Sequence, residues 1–328
     1  MQTAFVTGAT GFLGRHVIDV LTEQGWLIYA LVRDEDRART VLAQPSVNFI
    51  KGDLTFPSTY RDTVPKGLDC IFHVAADTST WAKEAARQHQ INIEGTANLL
   101  QVYRDVDAKR FVHVSSIAVY GIHKNLVTEK TRKKGKDSWV SYVHTKTMAE
   151  RKVMEAAKRG TDAVVVNPTH IVGRYDDHNW SRMIQMLDSG DLPGVPPGAG
   201  NFANGRAVAE AVVAAFDKGC TGENYILGGP YASMREFLCV AAEKLGVAEP
   251  KKATPAFVLE TLASLSSIVA RFTGRRPILT PEEAYFACEK VDTSSDKAVE
   301  ELGYRIVPLN QSISESIDYL KAQGVLST

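Results

Sequence analysis

The chain is predicted to be α/β, with a doubly wound parallel sheet and a smaller, mostly helical C-terminal lobe. Two observations predict it. Short β-branched runs alternate with amphipathic helical patterns from the first residues, and a glycine triplet stands between the first such run and the first helix. That alternation means βαβ units, whose parallel strands are covered on both faces.

The elements follow in order. Residues 3–8, TAFVTG, read as a strand and 15–25, RHVIDVLTEQG, as a helix; WLIYALVR at 26–33 and VNFIKGD at 47–53 are the next two strands. CIFHVAA at 70–76 leads into one long helical pattern, EAARQHQINIEGTANLLQVYRD at 84–105. RFVHVSS at 110–116, the helix YVHTKTMAERKVMEAAKR at 142–159 and the strand DAVVVNP at 162–168 complete this part. Beyond Pro168 the rhythm loosens into GDLPGVPPGAGN at 190–201, before a helix at 207–219 and the strand ENYILGG at 223–229 restore it. The expected division is a dinucleotide-type domain over 1–168, rejoined by about 204–229 and 290–306. A substrate lobe takes 169–203 and 230–289. In PAFVLETLASLSSIVARF at 255–272, Val258, Leu262, Leu265, Val269 and Phe272 recur at helical spacing. A helix packing that face on a core is expected there, in preference to a membrane-surface helix, and the stretch is too short to span a bilayer.

Composition narrows the function. With 44% hydrophobic residues, and Lys+Arg and Asp+Glu both at 38, the chain lacks the basic footprint of a nucleic-acid binder. A small-molecule partner is expected, with no nucleic acid and no membrane span; a homodimer is compatible. Cys70, Cys220, Cys239 and Cys288 lack metal-ligand spacing, and no metal site is expected at His170 or His178. The opening MQTAFVTGATGFLG carries no basic segment or apolar signal region, so a cytoplasmic location is expected.

The chemistry-bearing residues cluster in three places. In TGATGFLG, Gly8 permits a tight turn, Gly11 lets backbone approach a pyrophosphate and Gly14 allows close helix packing, which is a dinucleotide site opening a βαβ repeat. Tyr142 and Lys146, four apart, share a helix face about 5–6 Å apart at Cβ. At the second strand's end stand Arg33 and, one turn on, Arg37. Alternation turns Arg33 and Asp34 to opposite sides, so an Arg33 facing the ribose would stack on adenine and meet a 2′-phosphate. NADP(H) is therefore favoured over NAD.

The TGxxGxxG spacing resembles the extended short-chain dehydrogenase/reductase family, and so does YxxxK. Matching segments run the length of the chain: GDL at 52–54, HVAA at 73–76, NIEGTANLL at 92–100, NPTHIVG at 167–173 and SSDKAVEELGY at 294–304. The resemblance implies a Rossmann fold. It also implies a catalytic set of Ser116, Tyr142 as general acid/base and Lys146, which would hold the nicotinamide ribose as well. The cofactor would run along Gly8, Thr10, Gly11, Phe12, Leu13 and Gly14, then Asp53, Leu54, Ala75, Ala76, Tyr142, Lys146, Pro168 and His170. A free phenol titrates at about 10, and a nearby ammonium together with the nicotinamide's positive charge is expected to pull Tyr142 down.

The family contains reductases, sugar-nucleotide epimerases and dehydratases. VRD at 32–34, NP at 167–168 and AADTSTW at 75–81 resemble its dihydroflavonol-reductase and cinnamoyl-CoA-reductase branch. The leading expectation is an NADPH-dependent reductase that transfers hydride to a ketone or aldehyde carbonyl. The alternatives are a sugar-nucleotide epimerase or dehydratase with retained NAD, and a non-catalytic NADP-binding sensor. Two departures from the family pattern are expected to touch the substrate pocket: NFANGRAVAEA, with Asn204 and Arg206, and Arg174 after Gly173.

Overall fold

The computed structural model of the protein describes residues 1–328 except Ala43, Pro45, Lys251 and Thr328. Its central sheet begins with β1 (Thr3–Thr7), β2 (Leu27–Val32), β3 (Val47–Lys51), β4 (Cys70–His73), β5 (Arg110–Val114) and β6 (Ala163–Pro168). The chain then leaves for β7 (His170–Val172) and β8 (Ala199–Asn204), and returns as β9 (Asn224–Leu227). The seven strands lie in the order β3-β2-β1-β4-β5-β6-β9, each pair parallel. This is the Rossmann arrangement. The order reverses between β1 and β4, and in such sheets the crevice at the carboxyl ends of those two strands takes the ligand.

Strand alternation builds two cores. Ala4 and Val6 pack with Val17, Ile18 and Val212, under α1 (Phe12–Glu23), with α2 (Glu35–Val41) beyond it. Phe5 points the other way, to Leu99 and Val153. That second face is covered by α3 (Ala85–His89), α4 (Gly95–Asp105) and α5 (Ser141–Lys158). The helical pattern at 84–105 is not continuous: Gln90–Glu94 is a π-helical turn between α3 and α4.

The lobe starts with α6 (Ser181–Asp188) and is held to the sheet by α7 (Gly205–Lys218), which packs on α1. It continues as β10 (Tyr231–Ser233), α8 (Met234–Leu245), α9 (Ala256–Thr273), α10 (Pro281–Cys288) and β11 (Lys290–Val291). Then α11 (Asp296–Leu302) packs on α7 and β9, and α12 (Leu309–Ala322) on α8. Helical entry is well specified at α8 and α10, where Ser233/Glu236 and Thr280/Glu283 form reciprocal capping boxes. Besides its helices the lobe holds a small sheet in which β8 pairs with β7, β10 and β11.

One expectation is reversed. The helix over 255–272 forms as α9, but Val258, Leu262, Leu265, Val269 and Phe272 face outward, Phe272 at 88% exposure. The side that packs is Leu259, Ala263 and Ala270, with Ser266 Oγ donating to Leu279 O at 2.6 Å. Small residues at that spacing let α9 approach α10 closely, and the bulky ones do not.

Candidate active site

The glycine turn fits a pyrophosphate on steric grounds. Gly8 has φ +75°, and a Cβ there would lie 2.6 Å from Ala75 N; a Cβ on Gly14 would lie 1.9 Å from Gly8 O. Both glycines are fixed by backbone packed against backbone. Gly11 differs: a Cβ there would meet only Gly8 O at 3.3 Å, so its outer side is open to the cleft. Gly11 is also the N-cap of α1 and contributes no side-chain cap, which leaves the first N–H groups of the helix directed at that opening. The turn therefore has the shape, the donors and the dipole that a dinucleotide's phosphates require.

The cleft is about 1400 Å³ and lies between the sheet's carboxyl edge and the lobe. Of the catalytic and cofactor-binding residues read from the sequence, all line it except Arg37, which is exposed on α2. Gly8 through Gly14 form one end. Arg33, Asp53 and Leu54 stand around one side, Ala75 and Ala76 follow β4, Pro168 ends β6 and His170 opens β7.

Ser116, Tyr142 and Lys146 converge on the floor. Ser116 stands two residues beyond β5, its Oγ accepting from Ala118 N at 3.2 Å and sharing a hydrogen bond with the Tyr142 hydroxyl. Lys146 is buried one turn along α5 from Tyr142, and its Nζ donates to Val114 O at 2.7 Å. Burial pushes its ammonium down to about 8, against the pull of the Glu150 carboxylate one turn further on. Tyr142 corrects the expectation that its phenol is pulled down. Burial holds it above its ordinary value, and the opposing influence is the Ser116 hydrogen bond, because Lys146 is turned to the β5 carbonyl.

Behind these groups runs a buried polar network that sequence reasoning missed. Glu150 pairs with Lys133, and its Oε2 accepts from Asn167 Nδ2 at 2.7 Å. Asn167 Nδ2 also donates to Ser116 O at 3.2 Å, and Asn167 Oδ1 accepts from Asn224 at 3.0 Å. Glu150 was findable, since it follows Tyr142 and Lys146 at the same four-residue interval. Lys133, in a loop, had no such signal. The π turn contributes too: Asn92 Nδ2 donates to Asp77 O at 2.9 Å and to Thr145 Oγ1 of α5 at 3.1 Å.

The contacts of the two residues after β2 differ. Asp34 is engaged as the N-cap of α2, its Oδ1 accepting from Arg37 N at 3.0 Å. Arg33 is exposed beside the cleft, and no side-chain partner holds it among the described residues. Of the departures expected at the substrate pocket, Asn201 of NFANGRAVAEA lines the cleft, but Asn204, Arg206 and Arg174 do not. Asn204 caps α7 and bonds Ser312 and Glu315, Arg206 pairs with Glu23 and Glu210, and Arg174 O accepts from His16 Nε2 at 2.8 Å. Asn204 and Arg206 brace α7 against α12 and α1, and the Arg174 carbonyl, just after β7, holds His16 of α1. The substrate wall is built instead by Trp180, Met183, Leu192, Leu262, Leu279 and Phe286, the last an edge-on neighbour of Tyr142 at 6.2 Å. No group of three metal-ligating side chains occurs among the described residues.

The model of the NAD dependent epimerase/dehydratase family matches residues 4–228. A Synechocystis sp. protein named as a dihydroflavonol 4-reductase is 27% identical, over 99% of this chain and 96% of its own. A 4-hydroxy-2-methyl-3-oxo-4-farnesyl-3,4-dihydroquinoline-1-oxide ketoreductase of Stigmatella aurantiaca is 32% identical, over 92% and 91%. Among solved structures, that of gox2253 superimposes with a TM-score of 0.83 at 29% identity and covers both chains completely.

Proposed function

The chain belongs to the NAD dependent epimerase/dehydratase family, as an oxidoreductase of the extended short-chain dehydrogenase/reductase type, and from that premise we propose that it is an NADPH-dependent reductase of apolar ketones or aldehydes. The observation that carries the reading is the pairing of two unlike walls. Ser116, Tyr142 and Lys146 meet on one, and the lobe opposite contributes an apolar patch of Trp180, Met183, Leu192, Leu262, Leu279 and Phe286, with charged side chains such as Arg182 and Glu289 also on the lining. The 32% identical relative, named a ketoreductase for a farnesylated quinoline oxide, supports the same substrate class.

Ser116 and Tyr142 present two hydroxyls to a carbonyl oxygen and donate to it as negative charge develops. Tyr142 then gives its proton to the alkoxide oxygen, and its raised value keeps that proton in place at neutral pH. Lys146 supplies positive charge one helical turn from Tyr142 and would hold the nicotinamide ribose. Gly11 and the α1 N-terminus hold the pyrophosphate. The nicotinamide, when bound, supplies the hydride. A cytoplasmic setting, where NADPH is held reduced, belongs to the same reading.

NADPH is favoured because Arg33 is a cation at the cleft edge with no side-chain partner among the described residues, while the Asp34 carboxylate caps α2. A charge-assisted pair to a 2′-phosphate contributes about 1.5–3 kcal/mol, or about 10- to 150-fold in affinity. The test is kcat/KM for NADPH and NADH with a panel of apolar ketones and, as controls, sugar nucleotides. Arg33→Asp should swing the preference toward NADH. Equal use of both cofactors by the wild type removes the 2′-phosphate site, and turnover confined to sugar nucleotides replaces the reductase with an epimerase or dehydratase.

A further inference from the structure

We propose that α9 docks this enzyme onto an anionic phospholipid surface, lying in the plane of the interface. Phe257, Leu262, Leu265, Ile268, Val269 and Phe272 are all exposed on it, and Ile278 in the loop beyond is exposed at 78%. At about 100° per residue these side chains fall within one arc of about 140°, with Thr261 its one polar member. Apolar surface of that continuity marks an interaction site.

The opposite side of α9 settles how it would sit. Leu259, Ala263 and Ala270 are buried against the body of the lobe, so the helix is held along its length. At 18 residues it is about 27 Å long, and detaching it to span a bilayer would expose that stripe. A helix fixed along one edge and apolar along the other lies in an interface.

Charge identifies the surface. Lys252 before the helix and Arg271 and Arg275 at its far end are exposed, and neither arginine has a carboxylate partner among the described residues. Arg276 is paired with Glu283, and Glu260 is the acidic residue on the flank. Cations thus stand at both ends of the apolar face. A second copy docked there, with the helices parallel or antiparallel, brings like charges together, whereas anionic headgroups complement both ends.

The face also runs into the cleft. Leu262 belongs to the exposed arc and lines the substrate wall beside Leu259, Ile278 and Leu279. An apolar ketone could pass from the acyl region to Tyr142 along this edge, a route that rests on the reductase reading above. Docking itself does not depend on it.

The test is co-sedimentation of the full-length protein with vesicles of phosphatidylcholine, alone or mixed with phosphatidylserine. Binding should be stronger to the mixed vesicles and weaken with salt. Leu265→Asp and Phe272→Asp, neither in the cleft, should each cost about ten-fold in vesicle affinity, and Arg271→Glu and Arg275→Glu about five-fold or more each on the mixed vesicles. Cofactor binding should be unchanged in all four, which reports that they fold. Failure of the wild type to bind either vesicle overturns the proposal, as do variants that bind like the wild type. So does a wild-type dimer that Leu265→Asp dissociates without any vesicle affinity, which assigns the face to a second copy. Docking that holds while apolar ketones go unreduced defeats the reductase reading alone.

Discussion

Helices α5 and α9 are each 18 residues long and both reach the cleft, yet they are built inside out relative to one another. α5 buries Thr145, Lys146, Thr147 and Glu150, while α9 exposes Leu265, Ile268 and Phe272. Burial of the α5 polar groups is tolerated because each has a partner: Val114 O for Lys146, Asn167 and Lys133 for Glu150, Asn92 for Thr145, Val143 O for Thr147. On α9 the outward apolar groups Leu265, Ile268 and Phe272 stay exposed among the described residues, and its contact with the body is made by Leu259 and the small residues Ala263 and Ala270. Which side of a helix faces inward is set by what stands opposite it, and hydrophobicity alone does not decide it.

The contrast can be tested from its strongest consequence to its weakest. If α5 buries polarity for chemistry, Tyr142→Phe should lower kcat by on the order of 10²-fold or more with the fold and cofactor binding retained. Normal turnover in that variant would sink the acid/base assignment. Packing should separate the helices next. Val153→Ala empties a fully buried site on α5 and should cost about 2 kcal/mol in urea unfolding.

The buried charge on α5 should also appear in the pH profile. With Lys146 near 8, kcat/KM for reduction should fall as pH rises through about that value and the ammonium loses its proton. Glu150 holds that proton on, so Glu150→Gln should move the falling limb to lower pH. A limb unmoved in the variant would remove Glu150 from the electrostatics of the site. The smallest effect is expected on α9, where Val269→Ala, at an exposed site, should change stability by no more than about 0.5 kcal/mol. A loss matching that of Val153→Ala would mean that the outer face of α9 is covered within the chain.

The dinucleotide half was readable because its signals are local. Apolar runs such as CIFH and AVVVNP are buried along their whole length, so their continuity alone announces central strands. Gly8 and Gly14 announce themselves through backbone contacts that no other residue allows. The lobe was less legible. AGNFAN, which forms β8, carries glycine and asparagine where β-branched residues mark a strand, and its pairing with three other strands is what makes it one. At the site, the four-residue spacing of Tyr142 and Lys146 is written in the sequence. The turn of the Lys146 amine to Val114 depends on a strand 32 residues earlier, which spacing does not encode.

The π turn at Gln90–Glu94 acts as a phase shifter. One added residue in a helical ladder advances every later side chain by about 100° relative to those before it. Here the shift lets Asn92 turn inward to Asp77 and Thr145 while Leu99, Leu100 and Val102 stay against the sheet, two demands that a single α-helical phase would set against each other. The same region therefore tolerates substitution and insertion differently. A side chain changed within 90–94 alters only the contacts that side chain makes, but a residue deleted there would rewind α4 and put its apolar stripe out of register with the core.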